Sequence, residues 1–335
     1  MATYTALAAG AAVLAITLGI AAPAHAEQHK DAASVDLNEA AVVEVLEGVD
    51  DALLALPDDE AGLPSDQSKA PELPSGLDEP ILVEGENGDI RVAPVLPANT
   101  GFEEVASDIM IADTGDESWT VPLAHQDGSL QIATVIESLN APVEYEYELT
   151  LEPGAHVQIE SGLVIIRNGS GEFVGGVAPA WAVDAAGADI ATHYELRDNL
   201  LVQVVDHRLG GVADPVVADP WIGVNLFHGF SKTNVNGDVR YNFKRTAWGN
   251  AVHTGVAPGV VGGPIGGRSL MRSIGWDELR GTWGLAANKS TLFQQYDCHV
   301  TYAYTDVEWN LERFRSNKSD WNAWFNAFGH TCNWS

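Results

Sequence analysis

From Ile81 to about Val205, apolar side chains return at every second residue, in short runs that break at Gly, Pro, Asn and Asp. "VEYEYELTL", "HVQIESGLVII", "AWAV", "DIATHYEL" and "LLVQVV" are such runs, and Pro153-Gly154, Asn168-Gly169 and Arg197-Asp198-Asn199 lie between them. A period of two puts successive side chains on opposite faces, so each run reads as a strand. Short strands with close turns predict an antiparallel β domain, a sandwich or meander. The pattern closes at "PVVADPWIG", where two Asp-Pro steps end regular structure.

Composition changes at that point. Residues 27–224 carry 39 Asp and Glu against 6 Lys and Arg, whereas residues 225–335 carry 8 against 11. Aromatics run the other way, with 8 Trp, Phe and Tyr in the first block and 18 in the second. Two differently built parts follow: a β-rich domain over 81–222, a linker over 223–240 and a Trp-rich C-terminal domain over 241–335. The net charge of −30 argues against nucleic acid, because phosphate binding needs clustered cations. "GVAPGVVGGPIGG" lacks the Lys-Ser/Thr ending of a phosphate loop and reads as a mobile loop, so no nucleotide and no other cofactor is expected.

Ahead of the strands lie two further segments. Residues 1–26 have an apolar run ending in Pro23 and the small-x-small triplet Ala24-His25-Ala26, the pattern of a secretory signal peptide. The run is shorter than a spanning helix needs, so a secreted chain starting near Glu27 is expected. Residues 27–80 are rich in Pro, Asp and Glu and are expected to be largely disordered. One stretch differs: Val42, Val45, Leu46, Val49, Leu53 and Leu56 recur at helical spacing behind an Asp36-x-x-Glu39 start. Such a helix needs a surface to dock on, here or on a partner.

The C-terminal part predicts a small α+β fold. "SIGWDELRGTWG" suggests a short helix, while "TLFQQYDCHVTYAY" and "VEWNL" read as a hairpin turning near Thr305 and Asp306. "SDWNAWFNAF" sets Trp321, Trp324, Phe325 and Phe328 on one face of a closing helix. Cys298 and Cys332 form an even pair, which in an exported chain reads as a disulfide. His299 and His330 beside them raise metal as the rival, but neighbours in a strand face opposite ways.

The strings "GWDELRGTWGL", "QYDCHV", "WNLERFR" and "HTCNW" occur in order. Through them residues 241–335 resemble a bacterial family of secreted proteins, domain of unknown function 2599. The resemblance implies an exported Trp-rich module with one disulfide, and it brings no established activity. Separately, "AWAVDAAGADIATHYELRDNLLVQVVDH" and "PVVADPW" make residues 157–221 similar to a β module that precedes various C-terminal domains in exported proteins of Gram-positive bacteria. Neither likeness carries site residues onto this chain.

Two functions from different classes are consistent with these features. Seven of the ten Trp follow Asn225, and an indole suits a glycan or a lipid interface. Trp276, Trp283, Trp321 and Trp334 are the candidates for an exposed binding face. The first function is therefore a secreted, non-enzymatic effector or cell-envelope-binding protein acting on a glycan or membrane surface. Its acidic front part would serve as a pro-region, removable near Val224 or Lys244-Arg245. The alternative is a cell-wall hydrolase that uses Glu278, Asp306, Glu308 or Glu312, with His253, His299 or His330 as bases. No Gly-x-Ser-x-Gly or His-Glu-x-x-His string is present, and surface ion pairs are the simpler reading of these carboxylates. No catalytic or metal-binding residue is assigned.

Overall fold

The computed structural model describes residues 37–49, 54, 70–73, 79–106, 109–254, 265–283, 289–306, 308–318, 320–322 and 332–334. The expected signal peptide, most of the acidic stretch before Ile81, the loop over 255–264 and the closing helix beyond Asn322 lie outside them.

Helix α1 (Glu39–Glu47) opens the fold. Strands β1 (Ile81–Val83), β2 (Ile90–Pro94), β3 (Glu103–Ala106), β4 (Ile109–Asp113), β5 (Ser118–Ala124) and β6 (Leu130–Ile136) follow. Next come β7 (Glu144–Thr150), β8 (His156–Glu160), β9 (Leu163–Arg167), β10 (Phe173–Val177), β11 (Trp181–Asp184), β12 (Thr192–Arg197) and β13 (Leu200–Val205). Then come β14 (Val216–Asp219), β15 (Trp221–Gly223), β16 (Phe227–Val235) and β17 (Asp238–Arg245). The chain continues through α2 (Ala247–Thr254), α3 (Ile265–Leu270), a π-helical turn Met271–Gly275, α4 (Trp276–Trp283), α5 (Ser290–Tyr302) and β18 (Glu308–Glu312).

The strands form antiparallel sheets, as the period of two requires. One sheet runs β1-β2-β7-β13-β12; a larger one runs β3-β4-β5-β6-β15-β10-β9-β8, with β14 and β11 continuing from β6; the third is β16-β17-β18. β5 and β6 are buried along nearly their whole length. On one side, Leu130 and Ile132 join Val92, Tyr147 and Leu201 between the first two sheets. On the other, Trp119, Val121, Ala133 and Val135 join a core that runs on to Phe227, Trp248, Tyr296 and Trp309. Strands covered on both faces lose most of the polar half of the alternation, so "LQIATVI" keeps only Gln131 and Thr134 as polar residues, both buried.

The acidic helix docks on its own chain. Val42 and Leu46, with Leu54, enter the core beside Ile109, Ile111 and Trp119. Its N-cap is Asn38, whose Oδ1 accepts the Ala41 N–H at 3.1 Å, and not the expected Asp36. Glu137 Oε1 accepts both the Leu37 N–H (3.1 Å) and the Trp119 indole N–H (2.7 Å), fixing the entry of the helix on the sheet. Each buried Val or Leu contributes roughly 1.5–3 kcal/mol, enough to hold one short helix in place.

Residues 223–240 are not a linker. β15 pairs with β6 and β10, and the chain passes directly into the β16–β17 hairpin. Ser34–Ser335 is one compact unit, with a core shared between the parts before and after Val224. The parts meet at the start of α2. Asp127 Oδ2 accepts the N–H groups of Ala247 (2.7 Å) and Trp248 (3.3 Å), and Thr246 Oγ1 accepts that of Gly249 (2.8 Å). Three of the N–H groups that a helix start leaves without partners are thus satisfied, two of them by a residue 120 positions upstream. Trp248 fills the space over Gly223 and Gly176, and its Nε1 donates to the Trp221 carbonyl at 3.1 Å. Lys244-Arg245 lies within β17, and Arg245 is buried. Cleavage there would cut the middle strand of a sheet.

The expected hairpin around Thr305 is a helix followed by a strand. Leu292, Tyr296 and Val300, spaced four apart, together with Gln295 and His299, put one face of α5 into the core. A buried helical stripe overrides the strand preference of its Tyr, Val and Thr residues. α5 also closes the open edge of β18. The Gln295 amide donates to the Glu312 carbonyl (3.0 Å) and accepts the Glu312 N–H (2.8 Å), as a neighbouring strand would. Cys298 and Cys332 form the expected disulfide, with Cα atoms 5.4 Å apart, but Cys298 leaves from a helix and not from a strand.

Gly223→Ala is expected to be among the most destabilising single-methyl additions in the chain. Its Cβ would lie 2.3 Å from Trp248 Cδ2, and overpacking of this kind costs about 1–3 kcal/mol. Denaturant unfolding checks it. The double variant Cys298→Ala/Cys332→Ala, which opens a loop 34 residues long, is expected to lose about 3–4 kcal/mol on the chain-entropy account. Reductant should then no longer change its unfolding midpoint.

Candidate functional site

A cleft of about 530 Å³ opens where the β-rich part meets α4. Two turns build one wall: the β1–β2 turn carries Glu86 and Asn87, and the β9–β10 turn carries Glu172. Side-chain amides stitch the turns together. Asn168 Nδ2 donates to the Asn87 carbonyl (3.2 Å) and Asn87 Nδ2 to the Phe173 carbonyl (2.9 Å). Asn168 Oδ1 accepts the N–H groups of Ser170 and Glu172, both at 3.0 Å. Gly171 completes that turn at φ +82°, a left-handed conformation that suits glycine. The opposite wall is α4, with Asp277, Glu278, Gly281 and Thr282; Phe173, Val174, Val224 and Ile274 line the apolar part.

Charge in the cleft is one-sided. Glu86, Glu172, Asp277 and Glu278 face a single cation, Arg167, whose guanidinium donates to the Gly171 carbonyl at 3.2 Å. Asp277 is held by Arg280 one turn on, at 3.1 Å. Glu278 is half-buried, and its two oxygens accept the N–H groups of Leu226 and Phe227, each at 2.9 Å. Burial pushes its carboxyl up to about 8; the two N–H groups oppose that rise and the Glu86 carboxylate adds to it. A carboxyl that changes charge near neutrality, in a cleft, is a candidate for binding or proton transfer.

The remaining acid and base candidates do not converge there. Asp306 presents its backbone carbonyl to Arg245 at 3.1 Å, and Glu308 is exposed on β18. Glu312 is buried and paired with Arg315 at 2.5 Å. His253 Nε2 donates to the Val300 carbonyl at 2.7 Å, which leaves Nδ1 to accept from Arg245. Burial, then the Arg245 charge, lowers His253 to about 3, and burial lowers His299 to about 4. Both are neutral structural imidazoles. His330 lies outside the described residues. Among the described residues no group of three or more His, Cys, Asp or Glu side chains could hold a metal ion.

The expected aromatic binding face is largely core. Trp321 (9 % exposed) and Trp334 (5 %) pack against Cys298, and Trp334 Nε1 donates to the Ser316 carbonyl at 2.9 Å. They present no open face, because the disulfide draws the chain end onto α5. Trp276 is half-buried against Phe293 and Tyr296, at ring distances of 5.2 and 5.4 Å. The Trp283 side chain lies outside the described set. Of the sequence candidates among the described residues, only Glu278 lines the cleft. Glu86, Arg167, Glu172 and Phe173 carry no local signal of a shared wall, since their short turns lie more than a hundred residues from α4.

These groups set opposite pH slopes. Glu278 ordinarily ionises near 4.5 and here near 8, so between those values the folded chain holds a proton that the unfolded chain releases, and stability falls as pH rises. Burial raises Asp219 in the same sense. His253 and His299 lie below their ordinary 6.5, so stability rises with pH up to that value. Maximum stability is expected at mildly acidic pH. Glu278→Gln should flatten the decline on the alkaline side, measured as thermal midpoint from about pH 4 to about pH 9.

Compared with family models, curated proteins and solved structures, the chain matches none.

Proposed function

We propose that this chain is an exported, non-enzymatic binding protein of the cell envelope, and that its ligand is a positively charged polymer or peptide segment seated in the junction cleft. The observation that carries the reading is the lining: the carboxylates Glu86, Glu172 and Arg280-paired Asp277, the raised carboxyl of Glu278 and one guanidinium around about 530 Å³, with Phe173 as an apolar wall. That volume is within the range of small-ligand sites, ~300–1,000 Å³. The leader-like first 26 residues, the single disulfide and the strongly acidic composition support an extracellular setting. The Trp-rich α+β part shares its core with the β-rich part, so the two are proposed to act as one body and not as effector and removable pro-region.

A hydrolase is the second reading, favoured by one observation: the Glu278 carboxyl, pushed up to about 8, would remain protonated at neutral pH as a general acid does.

A short oligolysine peptide tests the first reading by calorimetry. Binding is expected at low ionic strength and should weaken as salt screens the cleft. Glu86→Gln/Glu172→Gln should weaken it by about tenfold, roughly 1.4 kcal/mol. The control Glu103→Gln/Glu104→Gln, on the exposed strand β3, should leave it unchanged. Equal loss in both pairs would reduce the effect to overall charge and sink the site. Release of reducing ends from a cell-wall glycan by the wild type, abolished in Glu278→Gln, would replace binding with hydrolysis.

A further inference from the structure

The space between the first two sheets is apolar along most of its length but turns polar at one end. Residues Ser118 and Thr120 of β5, Thr134 of β6 and Tyr145 and Tyr147 of β7 line a cavity of about 290 Å³ there, under an apolar lip formed by residues 94–97. β5 and β6 pair Thr120 with Thr134. Farther along the same strands, and on the same face of the sheet, Leu130 and Ile132 sit in the core. Inward positions of a sandwich ordinarily carry apolar side chains. A buried hydroxyl without a partner costs about 1–3 kcal/mol, so a run of hydroxyls at these positions needs a reason.

Most of them are held by the protein. Ser118 Oγ donates to Asp116 Oδ1 at 2.6 Å and lies 2.8 Å from Thr114 Oγ1. The Tyr147 hydroxyl is 3.1 Å from Thr134 Oγ1, and the Tyr145 hydroxyl donates to the Pro142 carbonyl at 2.8 Å. Thr120 is the exception. It is 5 % exposed as a residue, and its hydroxyl hydrogen-bonds no described residue but opens onto the cavity instead of being sealed in the core. A valine would fill the same volume without that hydroxyl.

We propose that this cavity is a second ligand site, which takes a single sugar ring or terminal sugar residue. A cavity of this size holds far more than one water, whose share of liquid volume is about 30 Å³. Its lining pairs hydroxyls that donate or accept, and an acceptor carboxylate in Asp116, with the tyrosine rings and the prolines Pro94, Pro97 and Pro142. A sugar has the matching parts: hydroxyls around its edge and C–H faces that lie against aromatic and proline rings. Thr120 supplies the unused donor and acceptor. The site is separate from the junction cleft, with no lining residue in common.

Saturation-transfer NMR and calorimetry on the full chain, with glucose and N-acetylglucosamine as probes, test this. Wild type is expected to bind at least one of them weakly. Thr120→Val should weaken that binding by about tenfold, the worth of one hydrogen bond, while its thermal midpoint stays equal to or above that of wild type. A structural role for the hydroxyl would lower the midpoint instead. Ser118→Ala, at the other end of the hydroxyl row, should also weaken sugar binding. Glu86→Gln/Glu172→Gln should leave sugar binding intact, and Thr120→Val should leave oligolysine binding intact, so either site can fail alone. Absence of saturation transfer from both sugars, or equal affinity in wild type and Thr120→Val, overturns the proposal.

Discussion

The structure depends on one indole. Trp248 is fully buried, lies over the bare backbone of Gly223, stacks on Phe173 at 6.3 Å between ring centroids, and donates to the Trp221 carbonyl. Its own N–H, with that of Ala247, is received by Asp127 from the β-rich part. Apolar burial and hydrogen bonds therefore act at the same residue, which joins the large sheet to α2. Everything C-terminal is oriented from there: β16 leads out from the sheet, β17 leads into α2, and α4 returns to place Glu278 against the start of β16. The cleft exists because these contacts hold two turns of the sheet opposite a helix.

A second theme is how much charge and polarity the core accepts. Arg245 is buried, its guanidinium directed at the carbonyls of Tyr304 and Asp306, at His253 and over the Trp309 ring at 5.2 Å. Burial lowers it to about 10 and the Asp306 charge opposes that fall, so it remains a cation at neutral pH. Carbonyl dipoles and an aromatic face stand in for a carboxylate and keep the two terminal nitrogens of the buried charge hydrogen-bonded. Glu278 is the mirror case, an acid whose oxygens accept hydrogen bonds from main-chain N–H groups. Both residues fix how neighbouring segments meet.

The outline of the fold was legible because local periodicity carries it. Runs such as "LLVQVV" and "HVQIESGLVII" became β13 and the β8–β9 hairpin, and the two cysteines became the disulfide. The amphipathic stretch around Val42 became α1. Some residues suit two structures. "TLFQQYDCHVTY" holds enough Tyr, Val and Thr for a strand, and only the core around Tyr296 and Leu292 selects a helix. At 223–240 the shift in composition coincides with no break in the fold, because the chain remains continuous through β15 and β16.

The sequence by itself determined the secondary elements of the β-rich part, the cysteine pair and the sign of the charge, since these follow from neighbouring residues and from counting. Tertiary structure alone decided that the aromatics form a shared core, that Glu278 faces Glu86 and Glu172 across a cleft, and that Ser118, Thr120 and Thr134 open into one cavity. Those outcomes rest on contacts between segments tens to hundreds of residues apart. Strand order and the packing of Trp248 on Gly223 bring them together, and no local pattern encodes either.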